Sequence, residues 1–469
     1  MEKQTVPNAQ GLKVAKFGGS SLADADQIKK VCAIILADPD RKVIVVSAPG
    51  KGAHDPEKVT DMLIETANAA LSAGLPEAQA CMDKIIARFA TIAGDLGVPD
   101  VGERIKADLS ALLEKDRADG DRYTDMLKAA GEDNCAKLVA AYINSLGAKA
   151  VYVNPGACGM ILSDEFGNAR VLDKSFGLLK ESLAQIDGIV IFPGFFGRTE
   201  SGEIATFPRG GSDITGAILA AAIQADVYEN FTDVDYVYAV SPKLIKNPRP
   251  ITLVTYREMR ELSYAGFNVY QEEALLPVYR AGIPVNIRSV NNPSCPGTLI
   301  VARREEKDTE TQIAGIAFDS GFTGVYITKY LMDREIGFGR RVLSIIEDEG
   351  ITYEHTPTGI DDITVILRDS LLTGGRLERI IARIEAELVP DDIEVVRDLS
   401  LIVVVGEGMK HGIGTAAAAT AALSKTGINI SMISQGSSEV SMIFAVGSDA
   451  ADQGVRALYD VFFKDELRL

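Results

Sequence analysis

The 469 residues are 46% hydrophobic and 24% charged, which suits a globular chain of about three domains and excludes disordered, collagen-like and coiled-coil rod classes. With 48 basic against 66 acidic residues the formal net charge is −18, so the surface repels phosphate backbones and no nucleic-acid partner is expected. An anionic substrate then has to be held by a few local cations and by backbone N–H groups. Five cysteines (32, 81, 135, 158 and 295) form no C-x-x-C pair, which argues against a disulfide scaffold or zinc ribbon and fits a reducing cytoplasm. Only His54, His355 and His411 are present, too few for a His-rich metal site, and no metal-ligating set is expected. The first ten residues are polar, and no apolar run approaches the roughly 18 residues of a membrane span, so neither a signal segment nor a membrane partner is expected.

In chain order, 14–17 reads as a short strand, followed by a glycine turn and helical spacing through Ile28, Val31, Cys32, Ile35 and Leu36. Ser21 with Asp24 reads as a capping pair at that helix start. Residues 43–46 are wholly apolar, as in a buried parallel strand, and β-turn-α-β indicates an α/β sheet covered on both faces. From 57 to 147 the pattern is helical, with breaks expected near Gly94-Asp95 and Gly120-Asp121. Strands return at 150–153 and 188–192. A second glycine turn, 208–213, leads into a helix over 214–225, and strands at 227–231 and 283–287 complete the sheet. The charged stretch 303–311, with no hydrophobic period, marks a domain boundary. Beyond it lies an internal repeat: Gly337-Phe338-Gly339 matches Gly412-Ile413-Gly414 at an offset of 75, while Gly350-Ile351 matches Gly427-Ile428 and 363–366 matches 440–443 at an offset of 77. Each copy reads as a ferredoxin-like βαββαβ unit. The expected division is 1–302, a linker at 303–312, and modules at 313–390 and 391–469.

Three clusters carry candidate chemistry. In Lys16-Phe17-Gly18-Gly19-Ser20-Ser21, glycines between strand and helix let backbone N–H groups and the helix dipole approach a phosphate, with Lys16 adding one full charge. The same six residues also suit an ordinary tight turn with a surface lysine. Arg209-Gly210-Gly211-Ser212-Asp213 repeats this logic and sets a guanidinium beside a carboxylate, a combination suited to the two charges of an amino acid. Thr232-Asp233-Val234-Asp235-Tyr236-Val237-Tyr238, with Pro242-Lys243 after it, could frame a purine and ribose or be a tyrosine-rich edge loop. Ser47 follows a strand, where ligands gather in parallel sheets. Glu132 opens a helical run and on its own reads as a dipole partner, while Thr60 reads as a cap residue.

The order of these clusters resembles the aspartate kinases. Lys16 to Ser21 is similar to their opening K-F-G-G-[ST]-S. Residues 192–197 with 209–213 resemble G-F-x-G and R-G-G-S-D, and Thr232-Asp233-Val234 with Tyr238 and Pro242 resembles their nucleotide loop. The tail, with 427–430 and 433–439, resembles their small-molecule-binding ACT repeat. The resemblance implies an amino-acid-kinase (carbamate-kinase-like) three-layer αβα sandwich followed by two ferredoxin-like ACT modules. It also implies transfer of the γ-phosphoryl of ATP, with Mg²⁺, to the side-chain carboxylate of L-aspartate. On this resemblance Lys16 and Asp213 are catalytic, and Ser47, Thr60, Glu132, Arg209, Gly211 and Ser212 surround the aspartate. Lys16, Phe17, Gly18, Gly19, Ser20, Thr232, Asp233, Tyr238, Lys243, Asn268 and Val269 surround the nucleotide. Tyr236, Ser241 and Asn268 depart from the family's pattern, Asn268 standing where its nucleotide-contacting lysine would be.

In the first repeat, Met332, Glu335, Phe338, Gly339, Thr352, Tyr353 and Glu354 align with the effector positions of lysine-inhibited members, so a small amino-acid effector, lysine first, is expected. Pairing of ACT modules implies a homodimer or homotetramer. Two rival readings stay open: a kinase of another amino-acid carboxylate on the same fold, and a non-catalytic amino-acid sensor.

Overall fold

The structure is a computed structural model that describes residues 11–52, 55–267, 275–304 and 313–464. Asn268, Val269 and most of the 303–312 stretch therefore lie outside the described residues. The chain divides into two compact units, the first formed by residues up to Val237 with 252–256 and 275–304.

At the centre of the first unit is an eight-stranded sheet: β1 (Lys13–Phe17), β2 (Arg41–Val46), β3 (Ala150–Tyr152), β4 (Ile189–Pro193), β5 (Val227–Thr232), β6 (Leu253–Thr255), β7 (Val285–Ser289) and β8 (Thr298–Val301). Their order is β6-β8-β7-β5-β1-β2-β4-β3. Every neighbouring pair is parallel except β7 with β8. β6 and β8 are additions to the strands read from sequence. Val14, Ala15, Ile44, Val45 and Val46 have no exposed surface, so both faces of the sheet are covered, as their unbroken apolar runs require.

Helices α1 (Ala25–Leu36), α2 (Val59–Ser72), α3 (Leu75–Asp95), α4 (Pro99–Leu112) and α5 (Gly120–Ser145) bury an apolar cluster that includes Phe17, Ile28, Leu63, Ile85, Phe89, Ile105 and Leu138. The helical stretch is thus four helices, broken additionally at Gly74, whose φ of 112° ends one helix path and starts another. The Ser21–Asp24 cap is corrected. Residues Gly19–Leu22 form a 3₁₀ turn, and α1 begins a turn later at Ala25, where Asp24 caps it by accepting from Gln27 N at 2.9 Å. Helix α6 (Gly211–Ile223) starts inside the second glycine turn, with Gly210 in the left-handed region at φ 84°.

Register brings the site together. Phe17 lies opposite both Val46 and Phe231, and Val46 lies opposite Pro193, so the carboxyl ends of β1, β2, β4 and β5 are level. The segments that leave them emerge along one edge of the sheet, the usual ligand side of a parallel sheet.

The second unit contains the repeats together with 238–251 and 257–267, two stretches from the expected first domain. Helix α7 (Tyr256–Tyr264) leads into the latter. Strands β9 (Gly315–Thr328), β10 (Asp362–Arg368), β11 (Asp392–Val405), β12 (Met432–Gln435) and β13 (Ser441–Gly447) form one antiparallel sheet in the order β10-β9-β11-β13-β12. The two repeats share this sheet through the long central pair β9–β11. Helices α8 (Phe338–Asp348), α9 (Arg376–Leu388), α10 (Thr415–Lys425) and α11 (Ala451–Tyr459) complete the unit. α8 buries Phe338, Val342, Ile345 and Ile346, one stripe at helical spacing.

The repeat offsets are corrected. Gly337 and Gly414 both precede their helices at φ 78° and 93°, an offset of 77 rather than 75. Asp362 and Ser441 both start their strands opposite Thr328 and Val405, an offset of 79 rather than 77. The second repeat carries two extra residues in the loop before β13.

Candidate active site

Lys16, the last residue but one of β1, has 8% of its surface exposed, and its Nζ meets Asp213 Oδ1 at 2.6 Å. Asp213 lies in the first turn of α6, so the pair joins the two glycine-rich turns. Asn230 Nδ2 donates to the same Asp213 oxygen at 2.7 Å, and the Tyr228 hydroxyl donates to the Asp213 carbonyl at 3.2 Å, fixing the carboxylate from β5. The α6 N-terminus has no side-chain cap. Asp213 N already donates to Gly210 O at 2.9 Å, so the Gly211 and Ser212 N–H groups, with the dipole, are what the turn can offer an anion. The α1 N-terminus differs, because Asp24 already answers its dipole. At the first glycine turn, anion contact falls to the amides of the 3₁₀ turn and to Lys16.

The turns press closely on one another. A Cβ on Gly19 would lie 2.8 Å from the Ala48 carbonyl oxygen, and one on Gly50 only 2.5 Å from the Gly19 carbonyl carbon. Gly50 N also donates to Gly19 O at 2.8 Å, and Ser47 N to Phe17 O at 3.2 Å. A Cβ on Gly194 would meet the Ser212 side chain at 2.6 Å, so the loop after β4 lies against the start of α6. Phe17, Gly18, Gly19, Ser20, Ser47, Gly211 and Ser212 are thereby gathered with Lys16 and Asp213. Thr60 is not a cap as expected, since Lys58 holds that position; it is half-buried in α2 after Val59, whose N–H donates to Pro49 O at 3.0 Å.

Glu132, which the resemblance sets around the substrate, comes to the same loops, but it does not open a helical run as read from its local sequence. It lies in the middle of α5, 4% exposed, and the Ala48 N–H donates to its carboxyl group. Burial pushes its pKa up to about 8, against the opposing pull of that N–H and of Lys128. Its Oε2 is buried without a hydrogen-bond partner, which is costly unless something else supplies a donor. Arg209 lies four residues before Asp213, exposed, with no ion pair among the described residues.

Two positioning residues escaped the sequence reading. Arg88, in α3 and 7% exposed, donates from Nη1 to Glu57 O at 2.8 Å and from Nη2 to Ala23 O at 3.0 Å and to Gly50 O. One guanidinium thus ties together the segments after β1, after β2 and before α2. Asp125, in α5, accepts from Gly167 N and Thr206 N at 2.7 Å each and from Thr206 Oγ1 at 2.9 Å, anchoring the strand that leads to Arg209. Neither has a motif, since each acts through backbone groups distant in sequence.

Thr232 and Asp233 leave the end of β5 in the first unit, with Thr232 Oγ1 donating to Asp233 Oδ1 at 3.2 Å. Tyr238 and Lys243 belong to the second unit, where Ile316 N donates to Ala239 O at 2.7 Å, joining their segment to the repeat sheet. Among the described residues no three His, Cys, Asp or Glu side chains gather as a metal site. No described helix is long and apolar enough to cross a membrane.

In the first repeat, Met332 and Phe338 are buried, and Glu335 pairs with Lys329 at 2.8 Å and with Arg341. Glu354 pairs with Arg368 Nε at 3.1 Å and accepts from the Tyr264 hydroxyl. Thr352 and Tyr353 are exposed and Gly339 is half-buried.

The amino acid kinase family model matches residues 11–289, and an ACT domain model matches 402–462. Aspartokinase 3 of Bacillus subtilis is 51% identical over 453 residues, covering 96% of this chain and 99% of that protein. The crystal structure of Clostridium acetobutylicum aspartate kinase superposes with a TM-score of 0.83 at 36% identity, over 96% of this chain and 100% of that one. Escherichia coli aspartokinase III, 26% identical, matches in two states over 96% of this chain. Its complex with aspartate and ADP has a TM-score of 0.73 and is covered to 100%; its complex with lysine and aspartate has 0.75 and is covered to 99%.

Proposed function

The chain belongs to the amino acid kinase family as one of its aspartate kinases, and on that premise we propose how its residues perform the reaction. The enzyme transfers the γ-phosphoryl group of ATP to the side-chain carboxylate of L-aspartate, giving 4-phospho-L-aspartate, the first step towards lysine, threonine and methionine. A carboxylate oxygen attacks the γ-phosphorus, the bond to the β-phosphate oxygen breaks, and ADP leaves. The nucleophile is ionised at pH 7, so no base has to remove a proton, in keeping with the scarcity of histidine. The task left to the protein is to bring two anions into line and neutralise the charge between them.

Lys16 supplies that charge, and the observation that carries this reading is its 2.6 Å pair with Asp213 where the two glycine turns meet. Asp213 holds the ammonium in place and leaves its remaining N–H bonds for phosphate oxygens. Gly18, Gly19 and Ser20 offer backbone amides to the triphosphate. Arg209 takes the aspartate α-carboxylate, its charge having no ion pair among the described residues. Glu132 takes the substrate ammonium through its unpartnered oxygen, with Ser47, Thr60, Gly211 and Ser212 around the same molecule. On the resemblance Thr232, Asp233, Tyr238, Lys243, Asn268 and Val269 contact the nucleotide. Magnesium would supply further charge neutralisation at the triphosphate beside Lys16 and Asp213, no three carboxylates gathering among the described residues to hold it apart from the phosphates.

The kinase domain falls within 1–302, of which 238–251 and 257–267 cluster with the repeats, with 303–312 as linker and ACT modules at 313–390 and 391–469. These modules assemble the chain into a homodimer or homotetramer in the cytoplasm, and they receive lysine at Met332, Glu335, Phe338, Gly339, Thr352, Tyr353 and Glu354. An incoming ammonium has to compete with Arg368 for Glu354, and with Lys329 and Arg341 for Glu335. A route to the nucleotide residues is available, because the segment carrying Tyr238 and Lys243 is hydrogen-bonded to β9.

Purified protein with Mg-ATP, L-aspartate and hydroxylamine is expected to form aspartyl hydroxamate, with millimolar lysine lowering the rate. Absence of product would favour an amino-acid sensor, and product only with another acid would favour the rival kinase.

A further inference from the structure

β7 ends in a loop, 290–297, that carries none of the residues placed around either substrate. Arg288, the last residue but one of β7, donates from Nη1 to Glu229 Oε1 at 2.7 Å and from Nη2 to Pro293 O at 2.7 Å, which fastens the loop back onto the sheet. Glu229, 2% exposed on β5, also takes Arg41 of β2 at two points, Nε to Oε2 at 2.6 Å and Nη2 to Oε1 at 3.1 Å. Arg41 Nη1 donates in turn to Ile34 O at 2.6 Å, in the last turn of α1. A buried carboxylate shared by two guanidiniums adds little net stability, but it fixes where its strands stand relative to one another. The same guanidiniums lie 5.3 and 5.5 Å from the centre of the Phe231 ring, and that ring stacks on Phe17 at 4.8 Å with 11° between the planes. Phe17 immediately precedes the first glycine turn and Phe231 immediately precedes Thr232. One network therefore holds the starts of both segments.

The loop extends this brace to the surface. Cys295 N closes a turn on Asn292 O at 3.0 Å, with Pro293 in the second position, where its fixed φ suits a turn. From this turn Asn292 Nδ2 donates to Asp235 Oδ2 at 3.1 Å, and the Cys295 thiol donates to Asp235 O at 3.6 Å. Val290 N donates to Thr232 O at 2.9 Å. Thr232 and Asp235, on either side of Asp233, are thus both held from the loop after β7. Asn292 is itself exposed, so its bond to Asp235 adds nothing to the packing of the core.

We propose that Asn292 and Arg288 are positioning residues for the nucleotide. Through Asp235 and Thr232 they hold the 232–235 segment at a fixed place beside the first glycine turn, so that it meets the nucleotide while Lys16 meets the phosphates. This rests on the reading of 232–238 as a nucleotide loop. The aspartate side has its own anchor in Asp125, which holds the strand leading to Arg209, so loosening the brace weakens nucleotide binding and spares aspartate.

Isothermal calorimetry on the full chain, titrating Mg-ADP and L-aspartate separately, tests it. Asn292→Ala is expected to weaken ADP about three- to tenfold and to leave aspartate within about twofold. Asn292→Asp sets a carboxylate against Asp235 and should weaken ADP further. Combining it with Asp235→Asn restores a donor and an acceptor and should recover most of the loss. Arg288→Met should weaken ADP about tenfold, and Arg288→Lys less. Circular dichroism melts report whether each variant folds, and if Arg288→Met does not, the exposed Asn292 decides. ADP affinity unchanged by both Asn292 substitutions, or equal losses for ADP and aspartate, overturns the proposal. Thr232→Val separates this inference from the reading beneath it. If Thr232→Val weakens ADP and the Asn292 variants do not, the loop binds nucleotide without the brace; if neither does, the nucleotide loop falls together with it.

Discussion

At the residue scale the proposed mechanism turns on Lys16, whose ammonium is nearly buried yet balanced by one carboxylate. Lys16→Ala removes the charge between the reacting anions, and kcat is expected to fall by on the order of 10² or more, the scale of losing a preorganised electrostatic donor. A rate within a fewfold of wild type would take Lys16 out of the mechanism. Glu132 offers a pH test. With its pKa raised to about 8 by burial, it is mostly protonated at pH 7 in the free enzyme. A substrate ammonium beside it favours the carboxylate, so aspartate binding should release about one proton at that pH. Calorimetry in buffers of different ionisation heat reads this directly. The wild type should show buffer-dependent heats and Glu132→Gln should not; buffer-independent heats in the wild type would contradict the assignment.

At the scale of elements, the four helices α2 to α5 serve the site as well as the core. Arg88 in α3 holds three carbonyls of the active-site loops, and its replacement leaves them without donors in a buried place. Arg88→Met is therefore expected to lower kcat/KM by roughly 10- to 100-fold through misplacement of the turns, with Arg88→Lys recovering part of it. Kinetics alongside a thermal melt check this; unchanged kinetics in a folded variant would make Arg88 merely structural. The limits of sequence reading show in the same elements. β1, β2, α6 and both glycine turns were legible because local spacing, apolar runs and turn residues agree with the fold there. Glu132, Arg88 and Asp125 were not legible as a physical site, because their partners are backbone atoms of other loops and mid-helix residues carry no turn chemistry. The Ser21 cap failed for a local reason: a 3₁₀ turn intervened, and Asp24 was the better-placed acceptor. The repeat was legible as a repeat, but its register was not, since glycines recur on both sides of each helix start and the β12–β13 loop is two residues longer.

At the scale of the whole molecule, a chain of net charge −18 binds two anions side by side. Long-range repulsion works against this, so in the proposed mechanism specificity and affinity rest on short-range groups that the sheet brings to one edge: Lys16, Arg209, the uncapped start of α6 and the amides of the first turn. The regulatory sheet adds a second level. Both repeats share β9 and β11, so a ligand acting on either repeat acts on a common element, and β9 is bonded to the segment of Tyr238 and Lys243.

The central claim is that one ammonium bridges the two substrates. A crystal structure of the enzyme with ADP and L-aspartate measures it. The expected result has Lys16 Nζ within about 3.5 Å of a phosphate oxygen and facing the substrate's side-chain carboxylate, with Arg209 on the α-carboxylate. Aspartate bound elsewhere, with Lys16 and Arg209 contacting different molecules in separate clefts, would contradict it.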